Sequence, residues 1–199
     1  MEHKGRYDRG YLPHCDFADS IQAITFRLAD SVARELLDSW RMAVADNRAS
    51  KETKSELLRK IARYEDAGHG ACVLRRPECA AIVQEQLIAS HGESYRLIEW
   101  CVMPNHVHVL IKINPGASLP VVVKGWKGSS AVRINRILNQ NGALWMRDYF
   151  DRFIRDEDHF YNARIYIREN PVKAGLCKEL EDWPFSSAGV AWRPDSQGR

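Results

Sequence analysis

A chain of 199 residues, 45% hydrophobic and 28% charged, has the length and apolar content of one domain with a sizeable core. No run of ~18 apolar residues occurs, which argues against an α-helical membrane span, and residues 1–8 lack the apolar core of a signal peptide. The formal net charge of +3 is too small to select a partner, and the five cysteines (Cys15, Cys72, Cys79, Cys101 and Cys177) form no Cys-x-x-Cys pair, which fits a reducing cytoplasm rather than a disulfide framework.

In chain order, residues 21–28 predict a strand. Residues 31–47 predict a helix with Val32, Leu36, Leu37 and Trp40 at helical spacing, and 56–66 a second with Leu57, Leu58, Ile61 and Tyr64. Pro77 opens another helix, which turns Ala80, Ile82, Val83, Leu87 and Ile88 inward and ends at Ser90-His91-Gly92. Two apolar runs, about 95–103 and 106–113, flank Pro104-Asn105 and predict a β-hairpin. Residues 119–138 predict a helix facing Val122, Val123, Trp126, Ala131, Ile134 and Leu138 to the core, although Gly125 and Gly128 weigh against one uninterrupted element. Residues 145–154 predict a strand. Asp156 then caps a last helix that runs to about Asn170-Pro171, with Gly175 as its C-terminal cap. Without the helices at 31–66, the order is that of a ferredoxin-like βαββαβ fold of the α+β class, an antiparallel central sheet with helices on one face. We read 1–199 as a single domain, with 31–70 a helical elaboration and 193–199 a frayed tail.

Chemistry concentrates at two places. Alternation on a strand puts His106 and His108 on one face, roughly 7 Å apart at Cα, while Val107 and Val109 anchor the other face. Two imidazoles side by side are half of a divalent metal site, although polar alternation on a half-exposed sheet gives the same pattern. On the last helix, Tyr166 and Asn170 are four residues apart and share a face beside the stripe Phe160, Ala163 and Ile167. An Asn oxygen suits a hard cation such as Mg2+ or Mn2+ as third ligand, and a Tyr oxygen is a nucleophile once ionised. A half-buried tyrosine with a helix-terminal asparagine is the structural alternative.

The charge distribution points to a polyanion. From Trp100 to Arg147 there is no Asp or Glu, whereas Lys112, Lys124, Lys127, Arg133, Arg136 and Arg147 all lie there. Lys124, Lys127, Arg133 and Arg136 are the candidates to hold a nucleic-acid backbone, unless acidic segments fold back on them. Trp126 is a candidate to stack on a base, or else a core residue at helical spacing.

Four ordered blocks carry a resemblance: residues 103–110 (Met-Pro-Asn-His-Val-His-Val-Leu); Trp145 with 149–155; residues 166–176, from Tyr166 through Asn170-Pro171; and residues 183–188 (Trp-Pro-Phe-Ser-Ser-Ala). The set resembles the REP-associated tyrosine transposases, relatives of the single-tyrosine HUH transposases of bacterial insertion sequences. The resemblance implies a ferredoxin-like HUH domain with extra N-terminal helices and a C-terminal catalytic helix. It implies cleavage and rejoining of single-stranded DNA at short palindromic hairpins through a 5′-phosphotyrosine. Tyr166 matches the nucleophile, and His106, His108 and Asn170 match the ligands of Mg2+ or Mn2+; many insertion-sequence relatives carry Gln at the position of Asn170. Tyr161 and Tyr149 are the other tyrosines near the site. The implied setting is the bacterial cytoplasm, at the nucleoid when bound to DNA, and the oligomeric state stays open between monomer and homodimer. A hairpin-binding protein without catalysis is the alternative reading. A metal-dependent hydrolase of small molecules is disfavoured, because no carboxylate lies near the histidines in sequence to act as base.

Overall fold

The computed structural model describes residues 5–8, 13–16, 19–32, 36, 42, 56, 60, 64 and 67–193. The central sheet has strands β3 (Ile21–Arg27), β4 (Tyr95–Val102), β5 (His106–Ile113) and β6 (Phe150–Phe153), in the spatial order β4-β5-β3-β6 with antiparallel neighbours throughout. A separate hairpin, β1 (Gly5–Asp8) with β2 (Pro13–Asp16), lies beside β6. The long helices are α1 (Pro77–Ala89), α2 (Leu119–Leu138) and α3 (Glu157–Lys173). Counting from β3, strand order and connections are those of the ferredoxin-like fold expected from the sequence. The predicted helices at 31–66 lie mostly outside the described residues, although positions 36, 42, 56, 60 and 64 are helical; the tail beyond Arg193 lies outside them too.

The sheet is covered on both faces, and alternation along β5 decides which residues meet which helix. Val107, Val109, Ile111 and Ile113 are fully buried against α1 and α2, in a core that also holds Phe26, Leu97, Trp100, Val123, Trp126 and Ile134. The opposite face belongs to α3: Leu110, Ile98, Cys101 and Met103 pack against Ile167, with Phe160, Ala163 and Tyr166 at the margin. Helices α1 and α2 therefore occupy the face expected of the βαββαβ core, and α3 covers the other. His106 and His108 share the parity of Leu110, so their side chains are buried on the α3 face instead of half-exposed.

Helix α2 has the expected bounds, and two other boundaries differ from expectation for identifiable reasons. Helix α2 is one uninterrupted 20-residue element. Gly125 and Gly128 have open space around them, so each costs only its intrinsic propensity of ~1 kcal/mol, and burial of Leu119, Val122, Val123, Trp126 and Ile134 outweighs that. The strand expected at 145–154 shortens to β6, because Trp145 makes a lone bridge to Leu28 and Lys127 Nζ caps the Met146 and Arg147 carbonyls at 2.6 and 2.8 Å. Helix α3 runs through Pro171 to Lys173 and stops in a Schellman turn. There the Leu176 N–H donates to the Pro171 carbonyl, and the Gly175 N–H to that of Val172, with Gly175 at φ 68°. After α3 the chain returns to β4, where Phe185–Ser187 supplies hydrogen bonds along that edge strand.

Candidate active site

The site is built outward from the Pro104-Asn105 turn. Gly70, at φ 85°, approaches so closely that a Cβ there would sit 2.7 Å from the Asp30 carbonyl oxygen, and the Ala71 N–H donates to Asp30 Oδ2 at 2.8 Å. This docking sets the His69 carbonyl where Asn105 Nδ2 donates to it at 2.9 Å. The amide orientation is thereby fixed, and Asn105 Oδ1 faces His106 Nδ1 at 2.7 Å. An amide oxygen only accepts, so His106 carries its proton on Nδ1 and presents a bare Nε2.

That Nε2 points at His108 Nε2, 2.9 Å away. Adjacent ligands of an octahedral cation with bonds of ~2.1 Å stand ~3 Å apart, so the spacing fits two ligands of one ion. In the absence of an ion, His108 Nε2 donates to His106. His108 Nδ1 lies 2.8 Å from Thr25 Oγ1, its neighbour across the β3–β5 ladder. A hydroxyl donates or accepts equally well, so Thr25 serves either tautomer of His108 and lets its Nε2 turn from donor to ligand. Both rings are neutral at pH 7. Burial, the neighbouring His108 and the Arg27 guanidinium hold His106 well below its usual range, and burial with Arg27 brings His108 down to about 3. Arg27 is itself buried, directly opposite His106 on β3, and places a cation beside the pair.

Helix α3 supplies the other wall. Asp156 Oδ1 caps its start by accepting from the His159 N–H at 2.8 Å. The Tyr166 ring meets the His108 ring edge-on, with centroids 5.3 Å apart. Asn170, one turn on, is 2% exposed, and its Nδ2 is buried without a hydrogen-bond partner. Turning the carboxamide by 180° would put an acceptor oxygen in that orphaned position, so the donor chemistry there suits a cation better than a second N–H. Among the described residues no group of three His, Cys, Asp or Glu converges. A third protein ligand for a metal at the histidine pair would be a neutral oxygen, for which Asn170 is the candidate on α3. Tyr161 is 58% exposed on another flank of α3, and Tyr149 is buried in the α1–α2 core.

The basic residues fall elsewhere. Helix α2 lies across the sheet from the histidines, so Lys124, Lys127, Arg133 and Arg136 do not line the pocket. Lys127 caps carbonyls, and Arg133 is paired with Glu85 of α1 at 2.6 Å. Lys124 and Arg136 are exposed. The stacking role for Trp126 is corrected: at 4% exposure it donates to Tyr95 Oη at 2.8 Å and packs on Phe26, leaving no face for a base. Sequence reasoning also missed Thr25, Arg27 and Asn105 as supports. Only Asn105, adjacent to His106, offered a signal; the others lie about 80 residues away and are brought in by strand pairing.

Residues 77–170 match the family model described as "Transposase IS200 like", a stretch that contains His106, His108, Tyr166 and Asn170. A protein of Haemophilus influenzae named as a REP-associated tyrosine transposase is 25% identical over 103 residues, 47% of this chain and 58% of that protein. A REP-associated tyrosine transposase of Escherichia coli is 26% identical over 93 residues, 47% of this chain and 54% of that protein. The match thus spans little more than half the length of these curated relatives. The solved structure of a REP-associated tyrosine transposase bound to a REP hairpin superposes with a TM-score of 0.54 at 18% identity, covering 97% of this chain and 91% of that one, a likeness of fold. The chain is thus similar to the IS200-like transposases over residues 77–170, and over about half its length to the REP-associated tyrosine transposases.

Proposed function

We propose that this chain cuts and rejoins single-stranded DNA at short palindromic hairpins, with Tyr166 as the nucleophile. The observation that carries the reading is the convergence of His106 Nε2 and His108 Nε2 to 2.9 Å, with the Tyr166 ring edge-on to His108 and buried Arg27 opposite His106. Tyr166 Oη attacks a backbone phosphorus, the P–O3′ bond breaks, and the DNA 5′ end stays on the tyrosine. The phenol proton leaves as the new bond forms, and a proton ends on the released O3′. The phosphodiester is exchanged for another of similar energy, so the strand is rejoined by the reverse attack without a nucleotide cofactor. His106, His108 and Asn170 would hold a divalent cation, Mg2+ or Mn2+, which when bound supplies charge neutralisation at the phosphate. Asn105 holds His106 in the tautomer that ligation needs, and Thr25 accommodates the one His108 would adopt as a ligand. Hairpins are the substrate class to test because a REP hairpin is bound in the solved relative.

The test is cleavage of end-labelled single-stranded hairpins by the purified chain with Mg2+ or Mn2+. Tyr166→Phe should abolish cleavage and leave hairpin affinity within about twofold, because the ring still packs and only the hydroxyl is lost. His106→Ala and His108→Ala should abolish cleavage, whereas Asn170→Ala should weaken it less, since water can fill one position of a hard-cation shell. Undiminished cleavage by Tyr166→Phe, or by wild type in excess EDTA, would overturn the corresponding assignment.

A further inference from the structure

Tyr166 sits on a helix held to the sheet by a smooth apolar stripe, Phe160, Ala163 and Ile167. Such a contact resists separation but resists rolling about the helix axis poorly, because dispersion and burial are non-directional. A roll of a few degrees moves a tyrosine hydroxyl, far from the axis, over a distance that matters for in-line attack. Something directional should fix the roll, and the structure contains it on the flank opposite Tyr166.

That element is Glu99. Strand β4 carries a bulge between Leu97 and Glu99: Leu97 pairs with Ile111, but Glu99 pairs with Leu110, leaving Ile98 as the extra residue. Regular alternation would send Glu99 into the α1–α2 core beside Leu97. The bulge instead gives it the parity of Leu110 and turns it toward α3. There it is 3% exposed and accepts from Arg164 Nε at 2.9 Å and Arg164 Nη2 at 2.7 Å, both on Oε1, while Ser187 Oγ donates to Oε2. Arg168 Nη1 stands 3.7 Å from the same Oε1. Arg164 and Arg168 are one turn apart, and Tyr166 lies between them in sequence but about 160° round the axis. The two flanks of α3 are thus an ionic anchor on β4 and the reactive tyrosine over β5. Arg164 and Arg168 are about one-third exposed, so the ion pair is weaker as a source of stability than as a directional constraint.

We propose that Glu99 is a positioning residue: through Arg164 and Arg168 it sets the roll of α3 and hence the place of the Tyr166 hydroxyl over the histidine pair. The proposal rests on Tyr166 being the reacting group, and it predicts that loss of the anchor acts on the chemical step rather than on DNA affinity. The test uses the full chain carrying 3-fluorotyrosine, with the Tyr166 fluorine resonance identified by its absence in Tyr166→Phe. Glu99→Gln and, as a variant at a side chain with solvent access, Arg164→Met should shift, split or broaden that resonance. In the same variants the single-turnover rate of covalent adduct formation on a single-stranded hairpin should fall by about tenfold or more, with hairpin Kd within about twofold. An unchanged Tyr166 resonance in both variants overturns the proposal even if both melt at lower temperature, since that pattern marks a purely structural ion pair. A shifted resonance with an undiminished adduct rate overturns it as well. If wild type forms no adduct, the reading of Tyr166 as nucleophile fails, and the proposal falls with it, while an anchored ring is still separately visible in the resonance.

Discussion

Asn105 governs which nitrogen of His106 faces the proposed cation, because its own amide is locked by the His69 carbonyl. Asn105→Ala should therefore weaken Mn2+ affinity about 10- to 100-fold without removing a ligand, as measured by titration calorimetry. Asn105→Asp should weaken it less, since an oxygen still accepts from Nδ1. The same burial has a pH signature. In the unfolded chain both histidines take up a proton near pH 6.5, whereas in the folded chain His108 stays neutral down to about 3 and His106 is likewise held low. The unfolded state therefore binds more protons below pH 6.5, and metal-free stability should fall with acidification by up to ~1.4 kcal/mol per pH unit for each histidine. Urea denaturation of wild type and His108→Gln at pH 7 and 5.5 checks this; equal pH slopes would contradict it. At this scale the sequence was partly legible. His-x-His is local and alternation places it, whereas Thr25, Arg27 and Glu99 act through strand register, and the bulge that turns Glu99 round leaves no mark in composition.

Helices show the opposite balance between pattern and propensity. The apolar spacing of α2 is readable in the sequence, whereas its continuity is not, because it includes two glycines that the exposed face tolerates at modest cost. Gly125→Ala and Gly128→Ala should each stabilise the fold by ~1 kcal/mol in chemical denaturation, because an added Cβ meets open space. Gly175→Ala should instead destabilise by ~1 kcal/mol or more, since position 175 needs a left-handed backbone to close the Schellman turn that ends α3. Opposite signs for the same substitution would separate a glycine that is merely tolerated from one that is required. The C-terminal boundary of α3 was legible from Gly175, although Pro171 suggested a stop a few residues early. The length of β6 was not legible, because Lys127, on another element, occupies the carbonyls that a longer strand would have used.

Across the whole molecule, the sheet divides two kinds of residue that the sequence interleaves. The face toward α1 and α2 is apolar core backed by exposed cations, and the face toward α3 holds the histidines, Tyr166, Asn170 and Glu99. The acid-free stretch from Trp100 to Arg147 thus spans β5, which serves the site, and α2, which lies behind it. Lys127→Ala and Arg133→Ala should chiefly lower thermal stability and leave the salt dependence of binding to a short hairpin unchanged, because both cations are already engaged. A salt slope flattened by about 0.7 per lost phosphate contact would show that they hold DNA after all. No helix among the described residues is long and apolar enough to cross a membrane. On the proposed function Tyr166, and none of the other six tyrosines, takes the DNA strand. Peptide mapping by mass spectrometry after reaction with a single-stranded hairpin tests it most directly. A nucleotide adduct is expected on the peptide containing Tyr166; an adduct on the peptide of Tyr149 or Tyr161, or cleavage with no adduct on any tyrosine, would contradict that assignment.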